Sequence, residues 1–329
     1  MPDFSSVEHK NNDTVLTNTR FFDLRQTLDN GQAFRWVKTG ESSYSGIAHG
    51  RRLDLRLDDG DGGNGSDLVI KNCSPQEFDT IWKEYFDFNR DYEEIRLRLG
   101  GALPLFSDCS VDVLRSTQNI NLVGMSPRSL DSSPAEKKEA LPPSPDFLTN
   151  AVTFAHGLRL LKQDPWETLI SFILSQNSNI PRIKKMVQAL CENFGEGLPC
   201  GGFAFPTPQA LAALSASQLA PIKSGYRAPY ILDAACRVAG GEIDLSAMEN
   251  LSSDKIFRTL LAVKGVGEKV AECVLLYGFG RVERFPADVW IKRVMDEHYP
   301  SGFPQEFWDI SGIAQQFLFY FAREAKNEK

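Results

Sequence analysis

Hydrophobic and polar positions divide the chain into unlike parts. Between residues 15 and 72, stretches such as Gln32-Ala33-Phe34-Arg35-Trp36-Val37 and Leu53-Asp54-Leu55-Arg56-Leu57 alternate, and Asp/Gly/Asn clusters at 29–31 and 58–67 break them up. That pattern predicts an antiparallel sheet. From Ser74-Pro75-Gln76-Glu77 onward the period becomes helical, with Phe78, Ile81, Trp82, Tyr85 and Phe86 on one face. Residues 101–145 carry Pro, Ser and mixed charge, end in Pro142-Pro143-Ser144-Pro145, and read as a linker or flexible insertion. Beyond them the signals are helical. Asp164-Pro165-Trp166-Glu167 supplies an N-cap, an N1 proline and an N3 carboxylate ahead of Leu169, Ile170, Phe172 and Ile173. A further helix is expected from Ile180 to Phe194 with Gly195 as its stop, and another from Pro229 to Ala239 before Gly240 and Gly241. The expected fold is therefore α+β: an N-terminal antiparallel β-sheet with helices over residues 1–100, a connecting segment over 101–145, and an all-helical core over 146–329. A ligand cleft is expected between the two main parts.

One helical stretch carries chemistry. Leu260, Leu261, Val263, Val266, Val270, Val274 and Leu275 fit two short helices, and Gly265 and Gly267 fit the tight turn between them. Such a helix-hairpin-helix aims backbone N–H groups at an anion and binds a DNA phosphate without reading sequence. Taken alone, Gly-Val-Gly-Glu-Lys is more often an ordinary turn with a solvated lysine. Asp288 follows Lys269 by nineteen positions, and Phe285-Pro286-Ala287-Asp288 ahead of Val289, Ile291, Val294 and Met295 puts it at a helix N-cap, where capping and catalysis are equally plausible roles.

Lysine and aspartate at this spacing resemble the endonuclease III superfamily of base-excision DNA glycosylases. Ser175-Gln176-Asn177-Ser178-Asn179-Ile180-Pro181-Arg182, Gly225-Tyr226-Arg227-Ala228, Gly31-Gln32-Ala33-Phe34-Arg35-Trp36 and Gly312-Ile313-Ala314-Gln315-Gln316-Phe317-Leu318-Phe319 narrow the resemblance to the 8-oxoguanine DNA glycosylases. The resemblance covers roughly residues 20–100 and 146–325. It implies a helix-hairpin-helix glycosylase core in which Lys269 attacks the sugar C1′ and Asp288 stabilises the charge that develops there. A lysine at a desolvated helix N-terminus favours the neutral amine such an attack needs. The resulting Schiff base permits β-elimination, an AP-lyase activity. The target base must leave the stack. The resemblance implies that Asn177 fills the void, Tyr226 wedges beside it, and Arg182 and Arg227 read the stranded cytosine. It gives the lesion pocket to the Gly31 carbonyl, Cys273, Gln315 and Phe319. Trp290 stands where the family often has a phosphate-contacting histidine; an indole donates one hydrogen bond without charge. Read singly, each of these residues has a bland structural role, and their conjunction carries the assignment. The rival readings are a monofunctional alkyl-base glycosylase, which does not need Lys269, and a noncatalytic helix-hairpin-helix DNA-binding protein.

Composition sets limits. The six cysteines form no C-x-x-C pair and the four histidines are scattered, so neither a metal site nor another cofactor is expected, and no iron–sulfur loop can follow Cys273. The net charge of −7 runs against DNA binding at face value. From Asp146 onward, however, 19 Lys+Arg stand against 20 Asp+Glu, so the acid lies mostly in the first 145 residues, notably at Asp58-Asp59-Gly60-Asp61. No stretch is apolar enough to span a membrane and the N-terminus lacks a signal peptide's apolar region, so the expectation is an intracellular monomer whose partner is double-stranded DNA containing oxidised guanine. The compartment would be the cytoplasm and nucleoid of a bacterium or the nucleus of a eukaryote.

Overall fold

The computed structural model describes residues 3–59, 65–100 and 147–327, with side chains up to residue 324. The segment 101–145 and the acidic turn around Asp61 lie outside the described residues. Six antiparallel strands, β1 (Ser6–Lys10), β2 (Asp13–Thr19), β3 (Trp36–Gly40), β4 (Ser43–Ala48), β5 (Arg51–Asp59) and β6 (Ser66–Lys71), form one sheet in the order β1-β2-β6-β5-β4-β3. Alternation decides which face is buried. Leu16 pairs with Leu68, Leu55 with Ile70 and Tyr44 with Leu55, and all five point to one side. The sheet starts earlier than expected, at Ser6, because β1 is an edge strand with a mostly exposed pattern and offers no apolar alternation to read. Gln32–Arg35 lie outside the sheet, and β3 begins only at Trp36.

The helices used below are α1 (Leu24–Leu28), α2 (Pro75–Glu77, continuing through a π turn at Phe78–Trp82 into Lys83–Tyr85), α3 (Tyr92–Arg98), α4 (Phe147–Phe154), α5 (Pro165–Ser175), α6 (Ile180–Phe194), α7 (Ala228–Ala239), α8 (Ser253–Leu261), α9 (Glu268–Cys273), α10 (Val289–His298) and α11 (Ser311–Asn327). Ser74 and Glu77 close a capping box on α2, where the helical period of the sequence begins. Phe78, Trp82, Tyr85 and Phe86 then cover the buried face of the sheet, and the Trp36 indole donates to the Tyr85 hydroxyl at 2.8 Å. Sequence pattern does not reveal α1 and α3, each of seven residues or fewer. Tyr92, Ile95 and Leu99 of the α3 region join the core of the helical part rather than that of the sheet.

Buried polar groups join the two cores. Arg159, fully buried, pairs with Asp3 at 2.7 Å, donates to the carbonyls of Phe86 and Asp87, and lies 4.0 Å from the Tyr92 ring centre. Gln32, also buried, donates to the carbonyls of Thr27 and Arg159 and accepts from the Leu161 amide at 2.9 Å. A buried charge without such partners would cost several kcal/mol, roughly, so this network fixes the sheet on the helices in one arrangement. The Gly31 loop runs through that junction.

Candidate active site

The hairpin is built from α8 and α9. Gly265 has φ +78°, and a Cβ there would stand 2.3 Å from the ring of Tyr230, so backbone conformation and close packing both demand glycine. Gly267 differs: its backbone is extended (φ −96°, ψ 179°), a Cβ would meet nothing within 4 Å, and no side chain caps the helix it starts. The N-terminus of α9 is thus open to a group approaching from outside. Tyr230 stacks edge-on with Tyr226 at 6.1 Å, so the hairpin turn also supports the exposed Tyr226 ring.

Lys269 projects from the first turn of α9. Its amine lies near the thiol of Cys273, one turn on, and stands 5.0 Å from the centre of the Phe172 ring on α5. Burial pushes the Cys273 thiol up to about 11, with Lys269 pulling the other way, so Cys273 is a neutral wall rather than a nucleophile. Asp288 caps α10: its Oδ1 accepts from the amides of Trp290 and Ile291, both at 2.9 Å. The capping role is real and leaves room for a second one, because both bonds use the same oxygen. Arg284, four residues earlier, pairs with Asp254 of α8 at 2.6 Å and with Glu272 of α9 at 3.4 Å, which ties the loop carrying Asp288 to both hairpin helices. Lys269 also lines a cleft of about 480 Å³ with Phe257, Phe285 and Trp308, and that cleft excludes the four expected lesion-pocket residues.

Those four residues come from three places. Gly31 has φ +97°, and a Cβ there would lie 2.7 Å from Ile180 at the start of α6. Its loop is held to α11 by Arg323, whose Nη1 donates to the Asn30 carbonyl at 2.6 Å and whose guanidinium lies 5.4 Å from the Phe319 ring centre. Gln315 and Cys273 are buried and Phe319 is half-buried. α11 can lie this close because it carries Gly312, where a Cβ would stand 2.4 Å from Leu276 and 2.6 Å from the Arg284 carbonyl.

The residues expected to face the opposite strand gather at the α5–α6 junction. Asn177 adopts a left-handed conformation (φ +46°), which asparagine tolerates, and its Nδ2 donates to the Tyr226 hydroxyl at 3.2 Å across 49 positions of sequence. Asn179 caps α6 by accepting from the Arg182 amide at 3.0 Å, and Arg182 itself is exposed. Arg227 is not the solvated fork that its sequence context suggests. It is 2% exposed, its Nε donates to the Gln176 carbonyl at 3.0 Å, its Nη2 also bonds Gln176 and Asn177, and its Nη1 bonds Ser224. In this state the guanidinium holds the Gln176–Asn177 backbone in place. Trp290 is half-buried in the first turn of α10 with Arg293 5.9 Å from its ring centre.

Sequence reasoning missed Phe172, Tyr230, Tyr277, Gln316 and Arg323. Each reads as core or surface in its own segment, and only the packing of α5, α7, α11 and the π turn Val274–Gly278 that continues α9 brings them to the site. Among the described residues no group of His, Cys, Asp and Glu could hold a metal ion, and no helix is long and apolar enough to cross a membrane.

Comparison with known proteins bears on the family of the chain. Residues 14–169 match the family model described as 8-oxoguanine DNA glycosylase, N-terminal domain, and residues 170–305 match that of the HhH-GPD superfamily base excision DNA repair proteins. A probable N-glycosylase/DNA lyase of Methanothermobacter thermautotrophicus is 30% identical over 211 residues, which are 54% of this chain and 67% of that protein. The N-glycosylase/DNA lyase OGG1 of Arabidopsis thaliana is 29% identical over 92% of this chain and 78% of its own length. The crystal structure of Clostridium acetobutylicum 8-oxoguanine glycosylase/lyase, in complex with double-stranded DNA containing cytosine opposite 8-oxoguanine, superposes with a TM-score of 0.77 at 30% identity, covering 98% of this chain and 99% of that one. The chain belongs to the 8-oxoguanine DNA glycosylase family of the HhH-GPD superfamily.

Proposed function

We propose that this protein excises 8-oxoguanine from double-stranded DNA, preferring cytosine opposite the lesion, and nicks the product by β-elimination through a Schiff base on Lys269. The observation that carries the reading is the proximity of Lys269 and Asp288 to the buried Cys273 thiol, with the Lys269 amine 5.0 Å from the centre of the Phe172 ring. The lone pair of neutral Lys269 Nζ forms a bond to C1′. The glycosidic bond breaks, and its electron pair leaves with the base, which takes up a proton. Asp288 offsets the positive charge on the sugar while that bond is breaking. The C1′–O4′ bond then breaks, O4′ takes up a proton given up by Nζ, and the C1′=N iminium forms without loss of water; the iminium acidifies C2′–H, and removal of that proton expels the 3′ phosphate.

The Gly31 carbonyl supplies selectivity, since it accepts from the N7–H that 8-oxoguanine has and guanine lacks. Asn177 and Tyr226 occupy the space of the extruded base, and Arg182 and Arg227 donate to the acceptors of the orphaned cytosine. For Arg227 that contact requires exchange of its present carbonyl partners. Gly265, Gly267 and Trp290 serve the phosphate backbone. The protein acts as a monomer without a cofactor, and its compartment is that of the genome: cytoplasm and nucleoid in a bacterium, nucleus in a eukaryote.

Borohydride trapping on an 8-oxoguanine duplex tests the reading. Wild-type protein should cross-link, and Lys269→Gln should abolish both trapping and base release while lesion-DNA binding survives. Undiminished trapping by Lys269→Gln would remove the mechanism, and a wild type that releases base without any trapping would favour a monofunctional enzyme.

A further inference from the structure

Two adjacent glutamines lie deep in α11, and only one has a role so far. Gln316 is 2% exposed. Its Nε2 hydrogen-bonds the hydroxyl of Tyr277, and the same nitrogen faces Gln315 Oε1 at 3.5 Å, the outer end of hydrogen-bonding distance. Its own Oε1 is buried with no hydrogen-bond partner among the described residues. Tyr277 is itself 3% exposed and stacks flat on Phe172, with ring centres 5.3 Å apart and planes at 12°, and Phe172 is the ring beneath the Lys269 amine. A continuous row therefore runs from Gln315 through Gln316, Tyr277 and Phe172 to Lys269.

A buried amide with an unsatisfied carbonyl is costly, and leucine would fill the same space without that penalty. The amide is accounted for if it sets something that leucine cannot. A glutamine carboxamide has an acceptor and a donor of nearly equal size, and a half-turn of its last torsion exchanges them. Purine edges differ by the same exchange: a guanine-type edge offers an acceptor at C6 and a donor at N1, whereas an adenine-type edge offers a donor at C6 and an acceptor at N1. A Gln315 free to turn would fit either. With Gln316 Nε2 beside Gln315 Oε1, turning Gln315 alone would put two N–H groups face to face, and for Gln316 to turn in response the Tyr277 hydroxyl would have to change from acceptor to donor.

We propose that Gln316, anchored by Tyr277, is a positioning residue for base specificity: it fixes which way the Gln315 carboxamide faces and so makes the pocket choose a guanine-type edge over an adenine-type edge. The inference rests on the reading of the chain as an 8-oxoguanine glycosylase with Gln315 on the Watson–Crick edge. It concerns orientation and leaves the attack by Lys269 unchanged.

The test uses full-length protein and two duplexes, 8-oxoguanine and 8-oxoadenine each opposite cytosine, with single-turnover excision rates compared as a ratio. Damage to the fold scales both rates together, so the ratio reports orientation alone. Gln316→Leu should lower the ratio about fivefold, mainly through faster release of 8-oxoadenine, which corresponds to about 1 kcal/mol at roughly tenfold per 1.4 kcal/mol. Its melting temperature should equal or exceed that of the wild type. Tyr277→Phe keeps the stack on Phe172, removes the anchor, and should shift the ratio in the same direction, with the double variant no worse than the larger single effect. Should Gln316→Leu fail to fold, Tyr277→Phe decides alone. An unchanged ratio in the folded variants, with 8-oxoguanine still released by the wild type, overturns the inference. A wild type that releases no 8-oxoguanine overturns the function, and the inference with it.

Discussion

The two glycines of the hairpin look equivalent in sequence and should behave as opposites when changed to alanine. At Gly265 a side chain meets two penalties. The left-handed backbone costs a non-glycine residue about 1–2 kcal/mol, and the Cβ would sit 2.3 Å from the inner ring atoms of Tyr230, which cannot swing away as a side-chain tip could. Moving that ring costs about 1–3 kcal/mol more. A total of about 3 kcal/mol should lower the melting temperature by about 5 °C or more in a protein of this size. At Gly267 the backbone is one that any residue adopts, and a Cβ meets nothing within 4 Å. Gly267→Ala should leave stability unchanged or raise it by up to about 1 kcal/mol, since alanine restricts the unfolded chain. Its methyl group would stand where the α9 amides are to receive a phosphate. Loss of one charge-assisted hydrogen bond, about 1.5–3 kcal/mol, should weaken binding about tenfold or more. Melting curves, together with fluorescence anisotropy on a duplex carrying a tetrahydrofuran abasic analogue, measure both effects. If Gly267→Ala binds that duplex as tightly as the wild type, phosphate does not approach this turn. If Gly265→Ala melts with the wild type, the packing argument at Tyr230 is wrong.

Two further outcomes follow from the same geometry. Asp288→Asn retains the Oδ1 that caps α10, so it should melt within about 0.5 kcal/mol of the wild type while single-turnover base release slows about a hundredfold or more; a lower melting temperature with normal chemistry per folded molecule would leave Asp288 as a cap only. Glu167 is 16% exposed beside Arg35 at 3.3 Å, and burial pushes its carboxyl up to about 7 from 4.5, with Arg35 pulling it down. Because the folded form holds this proton more tightly than the unfolded form, the contribution to stability is complete below pH 4.5 and is lost as pH rises through about 7. The melting temperature should fall between pH 5 and pH 7.5 by this route, and Glu167→Gln should flatten the fall; equal slopes in the two proteins would show that Glu167 does not titrate as its burial implies.

Local rules written in the sequence were sufficient for some elements and silent on others. The capping box at Ser74–Glu77, the caps at Asp164 and Asp288, and the helix Ile180–Phe194 depend on residues within four positions of one another, so the chain specifies them before any tertiary contact forms. The short helices α1 and α3 and the edge strand β1 carry too little pattern to read, and long-range partners stabilise them instead: Asp3 with Arg159 across 156 positions, and Thr17 with Ser6 in the sheet. Arg227 shows the limit most clearly. Its sequence context suggests a surface cation, yet packing against the α5–α6 junction buries it, and three carbonyls, of Gln176, Asn177 and Ser224, accept its four hydrogen bonds.

By itself, the sequence determined the order of sheet and helices, the hairpin with its Lys269 and Asp288, and the motifs that mark the family, because each is a matter of local period, capping or residue identity. Only the tertiary structure decided that Lys269 rests on Phe172, that Tyr277 and Gln316 stand behind Gln315, that Arg323 ties the Gly31 loop to α11, and that one hairpin glycine is for packing and the other for access. These depend on distances between elements far apart in the chain, and a side chain's neighbours across such a gap are set by how whole helices pack, which no local pattern encodes.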